Sequence, residues 1–304
     1  MEMFNYLVRR FSGMEPPPDD LVEKADMINV TGRQLMFSVN HLEPSRGWTT
    51  MESFSQGKKK SVDDVKAVTF CGCGFLGVYL VGAATYMQQH TPKILRGRLG
   101  GSSVGSLIAT CLACDVPLEV VRKSIIETAQ ASREYTLGAF NPFFPLEEPL
   151  LRSLLELLPE DAHIRASGRL YLSLTRATTL TNEVVSQYET RDELLRAVLC
   201  CCFLPGVSGF TVPTFQGRKY IDGGMSNNIP LKGPFTISVN AFAGGFDICP
   251  EEPNTYGPTS AFNQTIEISA DNFRKFFEAL LPPADLDTYY AQGYDDAKKY
   301  FSSQ

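Results

Sequence analysis

The sequence predicts an α/β protein built on a parallel sheet. Two successive strand–turn–helix units carry that expectation. In the first, residues 65–70 alternate as a strand, enter the glycine turn GCGFLG at 72–77, and continue as a helix over 77–89 that ends near Pro92. In the second, residues 94–100 form a short strand leading into GSSVG at 101–105. A buried helix over 104–114 follows and stops near Pro117. Strands alternating with helices in this way lie side by side, with helices covering the sheet.

The later elements extend the pattern. Residues 146–158 place Leu150, Leu151, Leu154, Leu155 and Leu158 on one helical stripe. Residues 169–175 alternate as a strand, and 183–188 are suited to pair with it. Thr190 and Glu193 form a capping box ahead of the helix ELLRAVLCCC. Residues 219–221 make a short strand that delivers Asp222, Gly223 and Gly224, and 236–240 make another. The tail from Asp271 is mostly helical, with Leu286, Tyr290, Gly293, Tyr294, Ala297 and Phe301 on one face. Residues 1–60 have a different texture, with three consecutive prolines at 16–18 and few apolar runs. They are expected to form a partly irregular extension with one short helix around 20–29, ahead of a domain over 61–304.

Composition narrows the function classes. The chain has 304 residues, 43% hydrophobic and 20% charged, which is a globular balance. A net charge of −6 argues against a nucleic-acid partner, because phosphate contacts need clustered cations. The longest basic run, Lys58-Lys59-Lys60, is expected to be a solvated linker. Most of the eight cysteines lie in apolar runs, as buried thiols do. Cys71, Cys73, Cys111 and Cys114 are therefore not expected to hold zinc, and no metal or cofactor is expected. The first ten residues lack a continuous apolar core, so the expected setting is intracellular and reducing. Residues 67–87 carry no charge and are long enough to cross a bilayer. Gly72, Gly74, Gly77 and Gly82 interrupt them, so a buried strand, turn and helix are expected instead.

Three short motifs could carry chemistry. In GSSVG, Gly101 and Gly105 let a strand turn sharply into a helix, and the turn lifts Ser103 out of the sheet. The helix N-terminus then favours negative charge developing at the serine. A plain glycine–serine turn is the alternative. GCGFLG fits either a dinucleotide-binding turn or an oxyanion hole formed by backbone N–H groups at Gly72, Cys73 and Gly74. The first reading wants an acidic residue some 20 positions on; residues 94–99 contain none.

A nucleophilic serine needs a base, and the chain has three histidines, none after position 163. His41 lies in the extension and His90 just before Thr91-Pro92. His163 would need an acid such as Asp115 to orient it. The remaining candidate is Asp222, which can accept the serine proton directly if burial raises its pKa. Gly223 and Gly224 allow it to come close.

These motifs, in this order, resemble the patatin-like phospholipase family. GCGFLG is similar to its oxyanion segment, including Gly77, GSSVG to its nucleophile elbow, and DGG to its aspartate signature. The stretches GCGFLGVYLVG, ASGRLYLSLTR, QGRKYIDGG and DICP resemble the adipose triglyceride lipase and adiponutrin branch. The resemblance covers about residues 65–301. It implies a three-layer α/β/α sandwich with a mostly parallel central sheet, and a Ser103–Asp222 dyad with no histidine, metal or cofactor. It implies a triacylglycerol lipase-like serine ester hydrolase of lipid catabolism, with phospholipase or transacylase activity, or a catalytically weak lipid-droplet protein, as alternatives. Neutral lipid or phospholipid is then the substrate, Phe75, Leu76, Val104 and Leu107 are apolar walls, and lipid droplets or membranes in the cytoplasm are the peripheral location. A protein coactivator is also implied. The chain departs from the pattern at Leu76, Ser102, Val104 and Asn227, and in carrying residues 1–60.

Overall fold

The uncharged stretch that is long enough for a bilayer folds as a buried strand, a turn and a helix. In the computed structural model, which describes residues 60–141, 144, 146 and 156–302, the elements of the described residues begin with β1 (Ala67–Phe70), α1 (Gly77–His90), β2 (Arg98–Gly101), α2 (Val104–Ala113) and α3 (Leu118–Arg133). Then come α4 (Ala162–Ala166), β3 (Leu170–Arg176), β4 (Asn182–Val185), α5 (Arg191–Cys202), β5 (Thr214–Phe215) and β6 (Arg218–Asp222). β7 (Thr236–Val239), the hairpin β8 (Pro258–Ala261) and β9 (Gln264–Glu267), α6 (Ala270–Glu278) and α7 (Asp287–Ser302) complete it. Among the described residues, no helix is long and apolar enough to cross a membrane.

The sheet is an α/β sandwich core. β3, β2, β1 and β7 run parallel in that order, and β4, β5 and β6 join antiparallel. β1 is buried along its whole length, as a central parallel strand covered on both faces must be. α1 is apolar all round because it is enclosed, packed against α7, α3 and α2. The two helices cross at Gly82 and Gly293, where a Cβ on either would fall 2.0 Å from the other helix's backbone carbonyl. That contact accounts for the glycine in the apolar stripe of the tail.

The register around β3 brings the site together. Leu172 of β3 pairs with Gly101 of β2 and with Val185 of β4, so these neighbours lie on opposite edges. Leu174 pairs with Glu183 of β4 and with Asp222 of β6, so β6 also lies opposite β4. β2 and β6 therefore share one edge of β3 and run head-on. Their last residues, Gly101 and Asp222, sit two positions apart along β3, about 7 Å at strand rise.

Several expectations need correction. Of the strand expected over 94–100, only the end forms. Pro92–Arg96 winds into a 3-10 turn, with proline supplying its first φ, and pairing with β1 begins at Arg98. Lys60, expected in a solvated linker, places its ammonium 2.7 Å from the Asp247 carboxylate. Thr190 caps α5 as expected, accepting the Glu193 N–H at 3.1 Å, but the Glu193 carboxylate reaches back to Glu189 N–H. Helix α3 and the β8–β9 hairpin were not foreseen. The hairpin turns on Phe262 and Asn263, both at positive φ, without the Asn-Gly signal that announces such turns. The extension up to residue 59 and most of the helix expected over 146–158 lie outside the described residues.

Candidate active site

Ser103 stands where β2 turns into α2, with φ 50° and ψ −133°. A non-glycine residue in such a region is strained by about 1–3 kcal/mol and persists only where its surroundings hold it. Here the hold is on its carbonyl. Ser106 N–H donates to it at 2.8 Å, Ser106 hydroxyl at 2.5 Å and the Cys202 thiol at 3.3 Å. The Ser103 side chain makes no capping hydrogen bond to α2, so its hydroxyl is left for other work.

Asp222 ends β6 and is only 3% exposed. Its backbone is pinned on both sides: its N–H donates to Phe203 O at 2.7 Å, and its carbonyl accepts from the Thr175 hydroxyl at 2.7 Å. Oδ1 accepts the Gly224 N–H at 2.7 Å. Oδ2 is buried with no hydrogen bond of ordinary length and angle. Burial raises the carboxyl to about 6, against the opposing pull of the Ser103 hydroxyl and the Gly224 N–H, which favour the charged form. The Ser103 hydroxyl lies near enough to the carboxylate to favour its charged form.

The glycine turn closes over the serine from β1. Gly72 packs so tightly that a Cβ would sit 2.7 Å from Ser103 Cβ and 2.9 Å from Asn228 Oδ1. Gly74 has φ +56°, and a Cβ there would fall 2.0 Å from the Ala279 carbonyl, which also accepts the Phe75 N–H at 2.8 Å. Of the expected oxyanion trio, the first member already has an acceptor for its N–H. Gly72 N–H donates to Asn228 Oδ1 at 2.7 Å, while Asn228 Nδ2 donates to Gly72 O at 3.1 Å. The N–H groups of Cys73, Gly74 and Val104 donate to no acceptor among the described residues. For Gly77, Gly101, Gly105 and Gly223, an added Cβ would land 1.9 to 2.4 Å from a neighbouring heavy atom.

Ser103 opens onto an apolar cleft. Phe75, Val104, Leu107, Ile125, Leu199 and Leu204 are among the apolar residues of its wall. Three of the four expected apolar walls are there; Leu76 is instead buried in the core. Asp222 does not line the cleft and sits behind the serine. The two described histidines, His90 and His163, do not line the cleft, and His41 lies outside the described residues. Asp115, the acid that was to orient His163, pairs with Arg165 at 3.2 Å. His90 is exposed and stacks on Tyr86, with ring centroids 4.4 Å apart. All eight cysteines are free, six of them buried, and no cluster of His, Cys, Asp or Glu among the described residues is placed to hold a metal. The Asn228 clamp and the carbonyl brace by Ser106 and Cys202 escaped the sequence reading. No local motif marks either, and Asn228 reaches Gly72 across 156 positions.

A mostly parallel sandwich with its site where two strands meet head-on on one edge of a third has the patatin-type architecture. The match to known proteins agrees. Residues 68–235, which include Ser103 and Asp222, fit the family model Patatin, described as patatin-like phospholipase. The chain is 38% identical over 239 residues to patatin-like phospholipase domain-containing protein 2 of Rattus norvegicus, covering 77% of this chain and 50% of that protein. It is 34% identical over 240 residues to the Mus musculus 1-acylglycerol-3-phosphate O-acyltransferase Pnpla3, covering 77% and 58%. It is 33% identical over 248 residues to the Mus musculus omega-hydroxyceramide transacylase, covering 80% and 41%. The chain belongs to the patatin-like phospholipase family. It spans about half the length of the curated relatives it matches.

Proposed function

We propose that the chain is a lipid acyl hydrolase that cleaves carboxylic esters of neutral glycerides through a Ser103–Asp222 dyad. The observation that carries this reading is the buried Asp222 carboxyl, raised to about 6, behind a strained serine whose hydroxyl caps nothing. A base with a pKa near the working pH combines the ionised state with a real affinity for the proton. Ser103 Oγ attacks the ester carbonyl while Asp222 Oδ2 takes its proton. The Cys73 and Gly74 N–H groups, with Val104 N–H at the start of α2, stabilise the oxyanion. Asp222 returns the proton to the leaving alcohol, giving an acyl-Ser103 ester. Water, deprotonated by Asp222, then releases the fatty acid.

The apolar cleft supports a long acyl chain as the group held. Two similar proteins are named as an acyltransferase and a transacylase, which supports a second reading: a lipid alcohol replaces water as acceptor of the acyl group. A peripheral place on cytoplasmic lipid droplets or membranes, and help from a coactivator protein, belong to the same proposal. The test is hydrolysis of emulsified triglyceride, diglyceride and phosphatidylcholine. Ser103→Ala and Asp222→Asn should each lower the rate by at least about 10³-fold in folded protein. Near wild-type activity in either variant would show the dyad to be wrong.

A further inference from the structure

Helix α6 has its polarity turned outward. Its inward stripe is polar. Asn272 is buried, accepts the Ala243 N–H at 3.0 Å and donates to the carbonyls of Ala243 and Glu267 at 2.9 and 2.7 Å. Lys275 is 1% exposed, with its ammonium 2.7 Å from Asp271. The aromatic residues stand on another stripe, at i, i+3 and i+4, in water: Phe273 is 68% exposed, Phe276 66% and Phe277 46%. Ile268 before the helix and Leu281 after it are exposed as well. Leu137 extends the patch from a second segment, since Ala139 N–H donates to Leu280 O at 3.3 Å and the adjoining Gly138 abuts Leu281. A helix that buries its lysine and asparagine and exposes three phenylalanines is built to meet an apolar surface.

We infer that this face docks on a lipid surface, placing the mouth of the cleft against it. The inference rests on the lipid acyl hydrolase reading for its purpose, though not for its test. Two observations select lipid over a protein partner. The patch continues directly into the cleft, whose wall includes Ala279 and Leu280 just beyond the helix. A lipid leaving the surface there would stay in apolar contact on its way to Ser103. The four charges of α6 also neutralise one another, Arg274 with Asp271 and Glu278, and Lys275 with Asp271. That leaves no net charge for a protein partner or an anionic headgroup to read, so recognition rests on apolar burial, which a neutral or zwitterionic surface supplies.

The test is flotation of the full chain with phosphatidylcholine vesicles and with phosphatidylcholine-coated triolein droplets. It is run on the Ser103→Ala protein, so docking is decided whether or not the chain hydrolyses anything. Added Phe273→Gln, Phe276→Gln and Phe277→Gln should reduce the floated fraction at least about tenfold, because each ring forfeits its buried area. The same positions changed to Trp should keep it, which separates lost docking from lost folding. With Ser103 restored, the glutamine variant should turn over dissolved p-nitrophenyl butyrate within about twofold of wild type. Equal flotation of the glutamine and phenylalanine forms overturns the inference. So does a dimer, seen by light scattering, that the glutamine changes convert to monomer, since a second copy would then own the face.

Discussion

Ser103 and Asp222 arrive at the same place by different means. The serine end of β2 is held by backbone conformation: a strained φ of 50° kept in place by three donors on one carbonyl. The aspartate end of β6 is held by hydrogen bonds to an unstrained strand terminus, and the stress there is electrostatic, a carboxylate deprived of water. One arm stores its cost in geometry and the other in charge. The two costs respond to different perturbations, so each can be changed without the other.

The largest contrast is expected from filling space. Gly72→Ala would set a methyl 2.7 Å from Ser103 Cβ, which the strained turn cannot move. Gly224→Ala would set one 3.0 Å from Asp222 Oδ1 and 3.3 Å from the Ser102 hydroxyl, both side-chain tips able to shift by tenths of an ångström. A nucleophile misplaced by about 1 Å loses about 10²-fold in rate, so Gly72→Ala should cost about that much, whereas the aspartate side should lose about tenfold. The check is kcat/KM on a dissolved ester with melting temperature alongside. Equal losses would mean that the serine arm is no stiffer than the aspartate arm.

Acid separates the arms next. Burial raises the Asp222 carboxyl from its ordinary 3.8 to about 6, so falling pH protonates it early and removes the base. On a dissolved ester, kcat/KM should fall about tenfold per pH unit below that value. The serine arm has no group that titrates there. A profile flat down to pH 4.5 would contradict Asp222 as the base.

How much of this was visible beforehand follows the same division. GSSVG was legible because only glycines let a strand turn that sharply, so the backbone requirement is written at 101 and 105. The aspartate's role came from counting histidines. Its position depends on β6 meeting β2 head-on along β3, a register set by residues some 50 to 120 positions away that no local pattern encodes. The Gly72 N–H looked like a free donor for want of its partner Asn228, which only the fold brings to it. The tail was expected to be helical and is, in α6 and α7. The outward polarity of α6 was hidden because an apolar stripe in a sequence does not say which side is the core. Buried Asn272 and Lys275 decide it through contacts with Ala243, Glu267 and Asp271.

On stability, too, the arms should differ, and there in kind. With a folded pKa above the unfolded one, the native state holds the extra proton between pH 3.8 and about 6, so stability declines as pH rises through that window. At neutral pH the buried charge costs about 3 kcal/mol. Asp222→Asn keeps an oxygen for the Gly224 N–H and removes the charge, so it should raise stability by up to that amount at pH 7 and by nothing near pH 3.5. Ser103→Gly relieves the backbone at φ 50° and adds chain entropy to the unfolded state, leaving a net gain of about 1 kcal/mol that does not depend on pH. Urea unfolding of both variants at pH 7 and near pH 3.5 measures the difference. A gain for Asp222→Asn that survives in acid would mean its stress is steric, and a loss for Ser103→Gly would mean that the serine backbone stores no strain.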